Sequence, residues 1–270
     1  MDTRAAAAVS SSAAAALLPF LRRLHRKSSL IRFSSSFWIS LSPPHRDYSN
    51  YTVKHAKTMT TAPAAVADPE PPNPRKSWLL VGLGNPGPLF LGTRQNVGLQ
   101  MLDAIAGAEG ISLGSVSFNA LHGAGFIKDV PVMLAKPQTF MASSGEPVKA
   151  LVSYYRIPLN HVLVICDSFD LPFGKLHLLP MGGHQGHKGM RSIIHHLDGS
   201  HGFLRLRIGI GKPVGRLRPA AFVLRHFYKH ECNELKFTFQ VGLEAVRILL
   251  AEGLGKSVSF ITNVNLKKCC

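Results

Sequence analysis

Chemistry-bearing residues collect in four short stretches. "CDSFDLPFG" offers Asp167 and Asp170, three positions apart. Paired acids can bind a divalent cation or share acid–base work. Here Asp170 precedes Pro172 closely enough to turn the loop, which leaves Asp167 as the functional acid. "GGHQGHKGM" sets His184, His187 and Lys188 in a glycine-rich turn before a helical pattern. A cationic Lys188 would repel a metal, so the turn suits an anion such as phosphate at a helix N-terminus, or serves as a plain connection. "KPQTFMASSGE" holds Ser143 and Ser144 without a G-x-S-x-G elbow, and either reads as a helix N-cap rather than a nucleophile. "VGLGNPG" followed by "GTRQNVG" places Gln95 behind a glycine turn. An amide there cannot titrate.

The glycine turn matches G-x-G-x-x-G literally, yet a dinucleotide site does not follow. That fingerprint needs a helix opening on its third glycine. Pro88, Leu89, Phe90 and Gly92 intervene, and the helical pattern begins only near residues 93–96. No acid ends a second strand at the required distance, and Asp103 falls within the helix.

These stretches hang on alternating elements. "WLLVGL" (78–83), "VPVMLA" (130–135) and "VLVIC" (162–166) read as buried strands. "FLRLRIGIG" (203–211) alternates, as a strand with one exposed basic face would. Helical periodicity links Val97, Met101 and Ile105, then Val148 to Tyr155, Met190 to Leu197, and Leu235 to Leu250. The pattern predicts a single three-layer α/β/α domain with a mixed, largely parallel central sheet. Sites in such sheets form at the carboxyl ends of strands. Asn85, Met141 and Asp167 each follow or end a predicted strand, so they should converge on one edge.

The domain is expected over 77–270. Residues 1–60 carry nine Lys or Arg, two acids and eleven serines, the composition of an organellar transit peptide. Residues 61–76 read as a Pro/Ala linker. Beyond residue 60 there remain 22 basic and 13 acidic residues, a balance that suits a polyanion such as RNA. The four cysteines, Cys166, Cys232, Cys269 and Cys270, form no C-x-x-C pair, which argues against a zinc site or a disulfide framework. No apolar run reaches transmembrane length.

In this order, "VGLGNPG", "GTRQNVG", "KPQTFMASSGE", "CDSFDLP", "GGHQGHKGMRSI" and "FLRLRIGIGKP" resemble the motifs of bacterial-type peptidyl-tRNA hydrolases, from about Trp78 to Ser259. Within that family the chain looks most like the plant organellar branch, whose fold a chloroplast group II intron splicing factor shares. The resemblance implies hydrolysis of the ester between a peptide and the terminal ribose of tRNA. It implies no metal and no cofactor. A histidine held by an aspartate would activate water. tRNA or peptidyl-tRNA is the implied partner, with organellar RNA and splicing proteins as the alternative. A monomer, without a membrane, is expected, in the chloroplast or alternatively the mitochondrion.

Carried over residue by residue, the resemblance makes Asn85 a contact to the scissile region and Asp167 the aspartate that orients the histidine. Met141 and His187 would line the peptide pocket, and Arg207 would meet a tRNA phosphate. Arg205 and Lys188 join Arg207 as candidate RNA contacts, unless Arg205 and Arg207, alternating along one strand, share a plain solvated face. Other positions depart. Gln95 stands where the family has its catalytic histidine. Ala142 and Lys188 each replace an asparagine, Phe90 lacks a tyrosine hydroxyl, and Leu179 stands where a lysine can occur. The expectation is a protein with hydrolysis weakened or lost, or alternatively a non-catalytic RNA-binding protein. A hydrolase with a rearranged base, Asp167 or a nearby histidine, is the third possibility.

Overall fold

The computed structural model describes residues 77–213 and 215–267. The expected transit segment and linker, residues 1–76, lie outside the described residues. Seven strands form one sheet: β1 (Trp78–Gly82), β2 (Ser115–Ser117), β3 (Ala120–Ile127), β4 (Val130–Pro137), β5 (Val162–Ser168), β6 (Leu176–Leu179) and β7 (Leu204–Gly209). Their order is β2-β3-β4-β1-β5-β7-β6. The central four, β4, β1, β5 and β7, run parallel, and antiparallel strands flank them on both sides.

Among the described residues four α-helices follow the predicted stripes and two more join them, giving α1 (Val97–Glu109), α2 (Gly145–Tyr154), α3 (Lys188–His196), α4 (Pro219–Val223), α5 (Lys229–Glu252) and α6 (Leu254–Lys267). They cover both faces of the sheet. Leu80, Leu163 and Ile165 point to one face and share a core with Met101 of α1, Val246 of α5 and Ile261 of α6. Their strand neighbours Leu79, Val81 and Val164 point the other way, against Leu151 of α2 and Ile193 of α3. Burial on both faces is why β1 and β5 read as unbroken apolar runs. The three-layer α/β/α architecture predicted from the sequence is the one observed.

The glycines of "GTRQNVG" have distinct reasons. Gly92 sits at φ +72°, a conformation L side chains rarely adopt. Gly98 opens α1 where a Cβ would lie 2.4 Å from the Ile165 carbonyl oxygen. The helix can therefore press directly on the sheet, and Gln95 is carried to the sheet's edge just before it.

Candidate active site

The parallel strands end together, and their carboxyl ends build a cleft of about 540 Å³. Asn85, Phe90 and Gln95 enter it from the segment after β1. Met141 and Ala142 enter after β4, Asp167 from the end of β5, and His187 with Lys188 from the start of α3. All eight residues expected at the centre and pocket of the site thus line one space.

Asn85 is held from two sides. Its backbone N–H donates to Asn96 Oδ1 at 2.8 Å, and Asn96 Nδ2 donates back to the Asn85 carbonyl at 2.9 Å. Its own Oδ1 accepts the Met141 N–H at 2.7 Å, tying the end of β1 to the end of β4. The side-chain amide therefore offers its Nδ2 hydrogens to a ligand. Asn96, one residue after Gln95, is a positioning group that sequence reasoning passed over. Phe90 meets Phe140 edge to face, with ring centroids 6.4 Å apart. Ala142 adds no polar group, and Lys188 stands exposed at the rim.

Asp167 is buried. Its Oδ1 lies 3.0 Å from His187 Nε2, while His187 Nδ1 accepts the Met190 N–H at 3.2 Å as the N-cap of α3. A ring nitrogen that accepts cannot also carry the proton, so the hydrogen sits on Nε2 and points at Asp167. The resemblance gave His187 as pocket lining; here it is also the partner of the aspartate. It also engages one of the N–H groups that would otherwise face an anion at this helix end. Gln95 is buried, and its Nε2 has no hydrogen-bond partner among the described residues. It does not hold Asp167.

Two expectations are corrected. The basic face of β7 is not exposed. Arg205 is 1% exposed, its Nη1 donates to the Phe203 and His201 carbonyls at 2.8 and 3.2 Å, and its guanidinium lies 4.1 Å over the Phe203 ring. Burial pulls its pKa below the ordinary arginine value. Arg205 is thus a core residue and is not placed to meet RNA; residues of the loops after β5 and β6 line a small cavity with it and Arg207. Arg207 is half-buried and donates to Ser168 Oγ at 2.7 Å and Asp170 Oδ2 at 3.1 Å. It lines a small cavity of about 30 Å³ that shares Asp167 and His187 with the main cleft. The second correction concerns the cap of α2. Ser144 stands at the N-cap position but makes no side-chain cap bond, and Ser143 makes none. Ser192 Oγ of α3 instead accepts the Gly145 N–H at 3.0 Å.

The far wall was not foreseen. Pro219, Ala220, Val223 and Leu224, from α4 and its end, line the same cleft as Asp167. Arg94, the neighbour of Gln95, fixes this wall. It is 3% exposed, and its Nη1 and Nη2 reach the Glu231 carboxylate at 3.0 and 2.6 Å. Its guanidinium lies 4.7 Å from the Phe222 ring centroid and 4.9 Å from that of Phe227. A Pro at the first turn of α4 was the one local signal available.

Among the described residues no cluster of His, Cys, Asp or Glu is arranged to hold a metal ion, and no helix is long and apolar enough to cross a membrane.

The Peptidyl-tRNA hydrolase family model matches residues 79–268. The chain is 60% identical over 193 residues to the chloroplastic peptidyl-tRNA hydrolase of Arabidopsis thaliana, covering 72% of this chain and 67% of the relative. It is 61% identical over 186 residues to the mitochondrial peptidyl-tRNA hydrolase of Oryza sativa subsp. japonica, covering 69% and 74%. The chloroplastic group IIB intron splicing facilitator CRS2-B of Arabidopsis thaliana is 47% identical over 182 residues, covering 67% and 76%. A crystal structure of peptidyl-tRNA hydrolase from Acinetobacter baumannii superposes with a TM-score of 0.65 at 33% identity, covering 68% of this chain and 93% of that one. These relatives agree with the organellar localisation, chloroplast first, read from the sequence. The chain belongs to the peptidyl-tRNA hydrolase family, in its plant organellar branch.

Proposed function

We propose that this protein is an organellar peptidyl-tRNA hydrolase-family member that binds the RNA and peptide ends of its substrate but hydrolyses the ester between them poorly. The observation that carries this reading is Gln95, buried in the cleft where the resemblance puts the family histidine. Ester hydrolysis needs a group that takes a proton from water as it attacks the carbonyl. An amide cannot take it. His187 has both ring nitrogens engaged, one with Met190 and one with Asp167. The Asp167 carboxylate is the remaining base in the cleft. Carboxylates as a class are weaker bases than imidazole, and loss of a positioned general base typically costs roughly 10²–10⁴ in rate.

Single-turnover hydrolysis of an N-acylated aminoacyl-tRNA tests this. The native chain should run slower than the Gln95→His variant, which restores part of the rate that a positioned general base supplies. A native rate equal to the variant's would overturn the reading.

A second reading has its own support. The 47% identity to a group IIB intron splicing facilitator favours a non-catalytic role in organellar RNA processing. It predicts that native protein binds structured organellar RNA while hydrolysis stays at background.

A further inference from the structure

Beside its polar groups the cleft carries an apolar surface that ester hydrolysis does not use. Phe90, Phe140, Met141 and Ala142 line the same space as Asn85 and Asp167. Phe140 is 65% exposed, and Leu89 and Leu91, on either side of Phe90 in the chain, are 84% and 67% exposed. Large apolar side chains left in water at a cleft mark a surface that a ligand covers. The turn that presents them is tightly closed. The backbone N–H groups of Phe90, Leu91 and Thr93 donate to the carbonyls of Gly87, Pro88 and Phe90, and the Thr93 hydroxyl also donates to the Phe90 carbonyl at 2.7 Å. The edge-to-face contact of Phe90 with Phe140 joins this turn to the segment after β4.

What the surface lacks is equally specific. Ala142 stands where the resemblance puts an asparagine, and Phe90 where it puts a tyrosine. An amide and a hydroxyl can hold the backbone of any peptide, because every peptide unit offers the same polar groups whatever its side chain. Without them, affinity for a peptide rests on burying its side chains, which contributes more the larger and more apolar they are. We propose that the cleft selects the peptide part of its ligand by side chain, taking large apolar residues at the peptide's carboxyl end over small or acidic ones, with Ala142 and Phe140 as the residues that set the preference. Asn85 sets the register. Its Oδ1 accepts the Met141 N–H, so a peptide carbonyl on its Nδ2 hydrogens brings the neighbouring side chain toward Met141 and Ala142. Lys188, exposed at the rim, is the group that would favour an acidic peptide instead. The proposal rests on the reading above that the cleft binds the peptide end of its ligand.

The test is fluorescence anisotropy of the full chain with one labelled stem–loop RNA, bare or carrying a dipeptide on its 3′-terminal ribose. An amide replaces the ester, so nothing is hydrolysed. The dipeptides are acetyl-Leu-Phe, acetyl-Gly-Gly and acetyl-Gly-Asp. Native protein should bind the Leu-Phe conjugate about 10- to 100-fold more tightly than the other two. Ala142→Asn should narrow that gap by tightening the Gly-Gly complex, and Phe140→Ser should narrow it by weakening the Leu-Phe complex. Both side chains are exposed, and circular dichroism verifies the fold of each variant. If native protein binds all three conjugates equally and more tightly than bare RNA, the selection is wrong and the peptide-binding reading stands. If no conjugate binds more tightly than bare RNA, that reading fails and takes the selection with it. Tightest binding of the Gly-Asp conjugate would make Lys188 the deciding group and overturn the proposal, as would a Leu-Phe preference unchanged in both variants.

Discussion

His187 donates its Nε2 hydrogen to Asp167 Oδ1 across 3.0 Å, because its other nitrogen is held by the N–H of Met190. The aspartate is therefore already engaged by a ring from the start of α3. Hydrolysis that persists in the native chain should depend on Asp167. Asp167→Asn is expected to lower the residual single-turnover rate about tenfold or more, and His187→Ala much less. A rate abolished by His187→Ala and spared by Asp167→Asn would make the histidine the base.

Buried Arg94 and half-buried Glu231 form an ion pair, with side chains 3% and 13% exposed. Removing one partner strands the other charge among Phe222 and Phe227. Arg94→Met or Glu231→Gln should each cost about 3–5 kcal/mol of stability in denaturant unfolding, and the double variant less than the sum. Losses below about 1 kcal/mol would mean that the wall is held by the aromatic packing alone.

Stability should fall with acid in a defined window. Burial lowers the pKa of His122, and burial together with the Arg207 charge lowers that of His177. Both rings bind protons more readily in the unfolded chain, so stability rises with pH there. It is fully present above the ordinary histidine value of 6.5 and declines as pH drops below it toward the lowered folded values. The melting temperature should drop between pH 7 and 5.5, and His122→Asn should flatten that slope, about 1 kcal/mol of stability per unit of pKa difference being at stake. An unchanged slope would exclude His122 as a source.

Cys166 is buried beside Asp167, and burial first, then the aspartate charge, pushes its pKa up to about 12. The thiolate is the reactive form. Iodoacetamide at neutral pH should therefore modify the exposed Cys232 and spare Cys166 in native protein, with both modified after unfolding. Peptide mass mapping reads this directly, and native modification of Cys166 would contradict its burial.

The sequence carried most of what places the site. β1, β4 and β5 are buried on both faces, so their apolar runs were plain, and the loops leaving them brought Asn85, Met141 and Asp167 to one edge. β3 was missed because its glycines break the pattern. A Cβ at Gly123 would lie 1.9 Å from the Ser112 carbonyl oxygen, so the gap in side chains is itself a packing requirement. Arg205 misled because alternation tells which side chains share a face, never whether a loop covers that face. Its sharing with Arg207 was right, and its exposure was not. The Asp167–His187 bond, the Arg94–Glu231 pair and the α4 wall join residues 20, 137 and more than 100 positions apart, and no local pattern announces them.

The central claim is that Gln95 limits hydrolysis. It is tested by single-turnover rates of the native chain, Gln95→His, and the triple variant Gln95→His with Ala142→Asn and Lys188→Asn, all on one N-acylated aminoacyl-tRNA. Asp167 has a second carboxylate oxygen to orient a new imidazole at 95, and Asn85 Nδ2 faces the same cleft. The single histidine should recover part of the rate, because the members of a catalytic unit act non-additively. Removing the Lys188 cation, which disfavours an imidazolium as it forms, should bring the triple variant to roughly 10²–10⁴ times the native rate. A native rate already equal to that of the triple variant would contradict the account, since Gln95 would then be no lesion and another group would be the base.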